Sequence, residues 1–400
     1  MKPSLKRAVY AFIIAAVVIS ASITYLTQAR KVDEYEEAVK KLFEEVRADV
    51  TKIRNLTASE PIVVKIVDKR FFEAKAEEGV DEFKAAQEAL YKALLLAPKD
   101  FSITSYEKKR AGLVIAASSA YTLYIVRDYF TPGSEDSRRV LAHEYMHILQ
   151  YNRVKQPQLT FLDAQLAWSA FIEGEADLVA DLYTSNKTGR ISLTPPNLVQ
   201  PKNQLDTWFI DRLTYFPYIF GERFAYTLYL AGGWGALNQA YLNPPSSTAE
   251  ILNPDLYLKG FKPRYPQNPT PVSVGWRIYY PDVLGAYFLN LFLTRTIGSE
   301  AASKIASYWL GDNSTLYLNG GDHLLYWQID LADMEQAKMV KQMLKEKLLK
   351  EASAESAGIL QIDSIYITVV NKGSNLLVIS ASSLMLAKEA LEDLLKEGFA

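Results

Sequence analysis

Apolar residues fall into three patterns along this chain, and each predicts a different kind of element. The first is an uncharged run from Ala8 to Leu26, preceded by Lys2, Lys6 and Arg7. Its 19 residues would span about 28 Å as a helix, close to one hydrocarbon core and longer than the usual apolar stretch of a signal peptide. The run therefore predicts a transmembrane anchor, with Ser20, Ala21 and Ser22 leaving cleavage as the alternative. Basic residues before the run, against Asp33, Glu34, Glu36 and Glu37 after it, put the N-terminus inside. The expectation is a single-pass protein of the cell membrane with the bulk of the chain extracytoplasmic.

The second pattern is helical spacing. Val32, Tyr35, Val39, Leu42, Phe43, Val46, Val50, Ile53 and Leu56 recur every three or four positions among charges, predicting an amphipathic helix that stands as a stalk or packs on the body. Val80 to Leu96 reads as another helix. A further one runs from Glu135 and Asp136, acidic residues suited to a helix N-terminus, to about Tyr151. Phe161 to Tyr183 follows, after a loop containing Pro157.

The third pattern is short and β-branched. Ile62 to Val67 predicts a strand, and Leu113 to Ala117 with Tyr121 to Val126 predicts a hairpin turning at Ser118-Ser119-Ala120, closed by the turn Thr131-Pro132-Gly133-Ser134. From about Thr315 the order becomes strand Leu324 to Ile329, helix Met334 to Glu351, strand Ile365 to Val370, strand Leu376 to Ile379 and helix Leu384 to Glu397. This βαββα succession is that of a ferredoxin-like or split-βαβ half. The class expected is α+β, in four parts: an anchor over 1–30, a helical stalk over 31–60, a catalytic-type domain over 61–312 and a ferredoxin-like domain over 313–400. The last would pack on the body or capture an unidentified protein partner, and fold alone does not decide which.

Composition changes this picture mainly by exclusion. The formal charge of −2 and pI near 6.1 provide no broad basic field, so no nucleic-acid partner is expected. With no cysteine, disulfides, thiolate metal sites and cysteine nucleophiles are ruled out, and any zinc must be held by histidine and carboxylate. The sequons at Asn55, Asn186 and Asn313 suit an exported glycoprotein but add little, because such triplets arise often by chance.

The candidate chemistry lies in His143-Glu144-Tyr145-Met146-His147, which uses two of only three histidines in 400 residues. On a helix, positions i and i+4 share a face, so both imidazoles can reach one ion while Glu144 stands beside it as a base. A third ligand is expected from the next helix, in Phe171-Ile172-Glu173-Gly174-Glu175-Ala176-Asp177-Leu178. Glu173 and Glu175 are about 200° apart on a helix, so only one can face the metal, whereas Glu173 and Asp177 share a face. Glu173 is thus the expected ligand and Asp177 the partner for the distal nitrogen of a bound histidine. Asp181, one turn on, is a weaker candidate for that outer role. Gly174 is expected to permit close approach of the motif helix. Ser247-Thr248-Ala249-Glu250 has the form of a capping box.

These residues resemble the gluzincin metallopeptidases, in which HExxH on one helix is completed by Glu on the next. The Glu-Gly-x-Ala string at Glu173 to Ala176 looks like that of the aminopeptidase-like members, and the Glu173/Asp177 pair looks like thermolysin's Glu-x-x-x-Asp. A longer resemblance is to uncharacterised exported HExxH proteins of bacteria and archaea. It rests on Phe216-Pro217-Tyr218 with Gly221, Gly232-Gly233-Trp234, Pro244 to Thr248, Ile251 to Pro254, and Gly320-Gly321-Asp322. Those relatives often have His where this chain has Asn253, which argues against an essential imidazole there. The resemblance implies a gluzincin-like core binding Zn2+ through His143, His147 and Glu173, with Glu144 as general base and a peptide or protein as substrate. It also implies a downstream oxyanion donor, for which Tyr218 is the candidate ahead of Tyr226 and His323. Two alternatives share the same ligands: a non-catalytic surface protein stabilised by its metal, and a zinc amidase acting on cell-envelope material.

Overall fold

The computed structural model describes residues 34–76, 82–151, 153, 157–188, 207–268 and 276–399. Helix α1 (34–54) comes first. Its apolar positions turn one way, and Val39, Leu42, Phe43, Val46 and Val50 are buried against Leu141, Tyr145 and Ile148. Of the two outcomes expected for this segment, packing on the body is the one found.

A small sheet follows, from β1 (Val63–Val67) and, beyond α2 (Arg70–Ala76), α3 (Glu82–Ala93) and α4 (Ile103–Ala111), from β2 (Ala116–Ser119) and β3 (Thr122–Val126). β3 is central, parallel to β1 and antiparallel to β2, so β2 is an edge strand. The hairpin turns later than its side chains suggested. Ser119 pairs with Thr122, leaving Ala120 and Tyr121 as a two-residue turn with Ala120 at φ 51°, so Ser118 lies within the strand. Backbone pairing outweighs the weak strand preference of serine here.

The middle of the chain is helical: α5 (Glu135–Tyr151), α6 (Leu162–Thr188), α7 (Trp208–Leu242), α8 (Thr248–Leu252) and α9 (Pro254–Leu258). The capping box at α8 is formed, with Glu250 accepting from the Ser247 backbone at 2.9 Å. The remainder comprises β4 (Arg277–Asp282), α10 (Gly285–Ile297), α11 (Ser299–Ala306), β5 (Trp309–Asn319), β6 (Asp322–Leu331), α12 (Met334–Glu351), β7 (Ala354–Ser356), β8 (Ile359–Ile362), β9 (Ile365–Lys372), β10 (Asn375–Ala381) and α13 (Leu384–Lys396).

Seven of these strands form one antiparallel sheet, ordered β4-β5-β6-β10-β9-β8-β7. β10 lies between β6 and β9, as a split βαβ requires, yet the ferredoxin-like expectation needs correction. Alternate residues of a strand face opposite ways. On β10, Leu376 and Val378 face α12 and the large helical core, whereas Leu377 and Ile379 face Ala387, Leu391 and Leu394 of α13. The two helices thus cover opposite faces of a sheet twice the expected width. Trp327 of β6 packs edge-on against Phe288 and Phe292 of α10, joining the sheet to the same core as the central helices.

The expected anchor is also corrected. Among the described residues no helix is long and apolar enough to cross a membrane, and the run from Ala8 to Leu26 lies outside them. The longest helix, α7, carries Asp211, Arg212, Glu222 and Arg223 along its length. The most apolar, α10, has 13 residues, which span only about 20 Å. A single-pass membrane protein with an extracytoplasmic body is accordingly not supported; the class that stands is α+β with two sheets.

Three buried aspartates fix where the helices begin. Asp282 accepts from the Leu162 and Val283 backbones at 2.8 Å each, holding the start of α6. Asp163 accepts from the Thr248 backbone at 2.8 Å, and Asp312 from Leu284 at 2.8 Å and Gly285 at 2.7 Å. Gly285, at φ 89°, abuts Asp163 so closely that a Cβ would collide with the carboxylate. Burial, offset by these backbone donors, pushes Asp282 up to about 7 from an ordinary 3.8, and the charge of Asp312 adds to the rise. A carboxyl whose folded value is raised stabilises fully below its unfolded value and loses that contribution as pH climbs through the folded one. Asp282→Asn keeps the Oδ1 acceptor but cannot ionise. Its melting temperature relative to wild type is therefore expected to improve by a few degrees as pH rises from about 4 to about 8; a pH-independent difference between the two would contradict this account.

Candidate metal centre

Helices α5 and α6 pack through Ile148, Leu149, Ala176, Val179 and Ala180, all buried. That contact brings one face of each helix together. His143 Nε2 and His147 Nε2 lie 3.0 Å apart, with their rings nearly perpendicular at 84°. Glu173 Oε2 is 3.2 Å from each. These are the three side chains among the described residues grouped closely enough to hold a metal ion.

The hydrogen bonds behind the rings decide what the three atoms can be. His143 Nδ1 is 3.0 Å from Asp177 Oδ1, an acceptor, so that nitrogen carries the proton. His147 Nδ1 is 2.7 Å from Gln150 Oε1, also an acceptor because the Gln150 amide nitrogen donates to Ile172 O at 2.9 Å and Glu175 Oε2 at 3.1 Å. In neutral rings both Nε2 atoms then present lone pairs. They meet Glu173 Oε2, which is buried and has no hydrogen-bond donor of its own. With neutral rings the three acceptor atoms could hold a cation, and two imidazoles with a carboxylate form a donor set suited to a divalent transition metal.

Electrostatics agree. Burial pulls both imidazoles down, but Asp177 and Glu173 outweigh it at His143, and Glu173 does so at His147, so both are raised above 6.5. Burial pushes Glu173 up, and the two imidazolium charges overcome this to hold it well below the ordinary carboxylate range.

Around this centre lie further carboxyls. Arg139 donates to Asp177 at 3.0 Å and to Asp181 at 2.7 Å, so Asp181 serves Arg139 and not a histidine. Glu222 of α7 is pushed up to about 9 by burial and by Asp181 and Asp177, and therefore stays protonated against Asp181. Glu175, rejected as a ligand by its position on the helix, lies on the other side of α6. It is fully buried in an ion pair with Arg54 of α1 at 2.7 Å and also accepts from Tyr241.

Gly174 does allow a close approach, though not of the motif helix. Its neighbour is α7: a Cβ there would collide with the Gly221 backbone, and one on Gly221 with the carbonyl of Ala170. Tyr218 lies one turn before Gly221 on α7. Its hydroxyl is raised by burial and then by the charges of Glu173, Glu144 and Asp177, with Arg110 opposing. Tyr226 instead packs at the edge of the large core. His323 pairs with Leu318 across β5 and β6, and its backbone donates to Ser382 Oγ at 3.2 Å; burial lowers its imidazole to about 4.

Two contributors were not apparent from the sequence. Gln150 lies three residues beyond His147 and so shares its face of α5. Ser118 of β2 donates to Glu144 Oε2 at 2.9 Å, which keeps that carboxylate beside the ligand group and outside it.

No protein-family model matches the chain, and no curated protein matches it either. Among solved structures it is similar to a protein of Chloroflexus aurantiacus described as a candidate hydrolase with a novel fold. The two are 18% identical, with a TM-score of 0.35 over 56% of this chain and 88% of that one. A likeness at that level assigns neither fold nor chemistry.

Chelator-treated protein is expected to bind one Zn2+ per chain by calorimetry, and Glu173→Gln to bind it at least about 100-fold more weakly. Because both imidazoles hold protons above their ordinary 6.5, zinc affinity should already fall as pH drops from 8 towards 7. Affinity flat to below pH 6 would count against this geometry.

Proposed function

We propose that this protein is a zinc-dependent hydrolase, most specifically a metallopeptidase, with His143, His147 and Glu173 as ligands and Glu144 as general base. The observation that carries this reading is the separation of roles within one turn of helix. His143, His147 and Glu173 converge, while Glu144 stays outside the group, hydrogen-bonded to Ser118 at 2.9 Å. A purely structural site needs no base and usually closes its fourth position with protein.

Zinc, when bound, would polarise a substrate carbonyl and acidify the attacking water. Glu144 takes a proton from that water as its oxygen bonds to the carbonyl carbon. It then delivers the proton to the departing nitrogen as the C–N bond breaks, so a carboxylate and an amine leave. Tyr218, whose hydroxyl keeps its proton through the whole neutral range, donates to the developing oxyanion. β2, the edge strand of the small sheet among the described residues, is linked to Glu144 through Ser118, and an extended peptide aligning there by strand addition would run past the base.

Glu144→Gln is expected to lower turnover on a mixed peptide library by about 10²–10⁴-fold while binding zinc as wild type does. Retained turnover would sink the mechanism, and zinc binding by wild type without Glu144-dependent cleavage would favour a non-catalytic or amidase role. Tyr218→Phe should lower kcat by about 10²-fold with little change in KM; a loss confined to KM would assign Tyr218 to substrate binding instead.

A further inference from the structure

Behind His147 runs a chain of hydrogen bonds that leaves the metal centre and ends on another helix. Gln150 Oε1 faces His147 Nδ1 at 2.7 Å, and Gln150 Nε2 spends its hydrogens on Ile172 O at 2.9 Å and Glu175 Oε2 at 3.1 Å. Glu175 Oε1 in turn accepts from Arg54 Nε at 2.9 Å and Nη2 at 2.7 Å, Oε2 also accepts from the Tyr241 hydroxyl, and Arg54 Nη2 donates to Asn238 Oδ1 at 2.7 Å. Arg54 is 2% exposed and Glu175 0%. A buried ion pair is weak evidence for stability, because desolvation offsets much of its attraction. What this pair contributes is direction.

A glutamine amide is ambiguous: turned over, it would present a donor where it now presents an acceptor. Glu175 Oε2 and Ile172 O remove the ambiguity together, since both can only accept and both hold the amide nitrogen on their side, with the Glu175 carboxylate the charged one of the two. The oxygen is left facing His147, so Nδ1 must carry the proton and Nε2 the lone pair. We propose that Glu175, set by Arg54 of α1, is a positioning residue that fixes the metal-binding tautomer of His147 through Gln150. This rests on the metal-centre reading above, but the tautomer can be read without any metal.

Glu175→Gln makes the inference specific. Arg54 pins the new side-chain oxygen at the place of Oε1, so the new amide nitrogen faces Gln150. It draws the Gln150 oxygen towards itself while Ile172 O still holds the Gln150 nitrogen, so the amide is no longer held in one direction. In the molecules where it turns, its nitrogen faces His147 Nδ1, which must then accept; the proton moves to Nε2, and the lone pair needed for the metal is lost. Exchanging the two residues, Gln150→Glu with Glu175→Gln, places an acceptor-only carboxylate against His147 and restores the direction at Nδ1, while Ile172 O gives up its donor.

The test compares wild type, Glu175→Gln and the exchanged pair by zinc calorimetry and by 15N-edited imidazole NMR of the metal-free proteins in alkaline solution, where the rings are neutral. With three histidines in the chain, assignment is tractable. Expected are Nδ1-protonated His147 in wild type and the exchanged pair, a mixture of the two tautomers in Glu175→Gln, and zinc affinity about 10-fold weaker in the single variant and recovered in the pair. If Glu175→Gln does not fold, Gln150→Leu, which keeps the Arg54–Glu175 pair, should show the mixed tautomer and about 10-fold weaker zinc binding. Unchanged tautomer and affinity in the variant that folds, or weakened binding that the exchange does not recover, would overturn the proposal. Wild type that is Nδ1-protonated but binds no zinc would overturn the metal-centre reading and keep the positioning role.

Discussion

The backbones of α6 and α7 touch where Gly174 meets Gly221, and the arrangement of the site follows from that crossing. Neither position has room for a Cβ, so the two helices approach more closely than side chains would permit elsewhere. Glu173 precedes Gly174 by one residue, and Tyr218 lies one turn before Gly221, so the crossing holds a candidate ligand and a candidate oxyanion donor in one neighbourhood. Glu222, next to Gly221, is brought against Asp181 by the same contact. A helix interior normally disfavours glycine, and here the conformational cost is offset by backbone proximity that no other residue permits.

Carboxyl groups outnumber cationic side chains around this crossing, and the fold handles the excess in three ways. Arg139 bridges Asp177 and Asp181, Glu222 gives up its charge, and Glu173 faces the two imidazoles. The two histidines are also backed differently, His143 by a carboxylate and His147 by an amide. A carboxylate makes its histidine the more basic ligand, so the centre has one strong and one weaker imidazole donor.

Much of the site could be read from helix geometry. A period of 100° per residue puts His143 and His147 on one face, and it separates Glu173 from Glu175 so cleanly that the two serve different sides of α6. The longer strands and the two helices from Leu324 onward were also legible, because their runs are long and strongly patterned, whereas the short strands β7 and β8 were not. What could not be read was set by partners distant in sequence. Gly174 signals a close neighbour without saying which helix supplies it, Ser118 becomes a strand residue only through pairing with β3, and Gln150 is an ordinary polar residue until Glu175 orients it. The faces covered by α12 and α13 were hidden for a related reason: the strands between them are apolar on both sides, so alternation carries no sign of which helix lies where.

The long helix α7 has 35 residues and would measure about 52 Å if straight, but Gly232 and Gly233 leave helical geometry, the latter at φ 59°. The half before this break carries Tyr218 and Gly221. The half after it carries Trp234, which stacks under Arg54 at 4.5 Å, with Asn238 and Tyr241, which bond to Arg54 and Glu175. One helix thus serves both flanks of α6 by means of a joint. Because the turn of helix is interrupted there, the direction of the segment that meets Arg54 and Glu175 is not dictated by the direction of the segment that carries Tyr218 and Gly221.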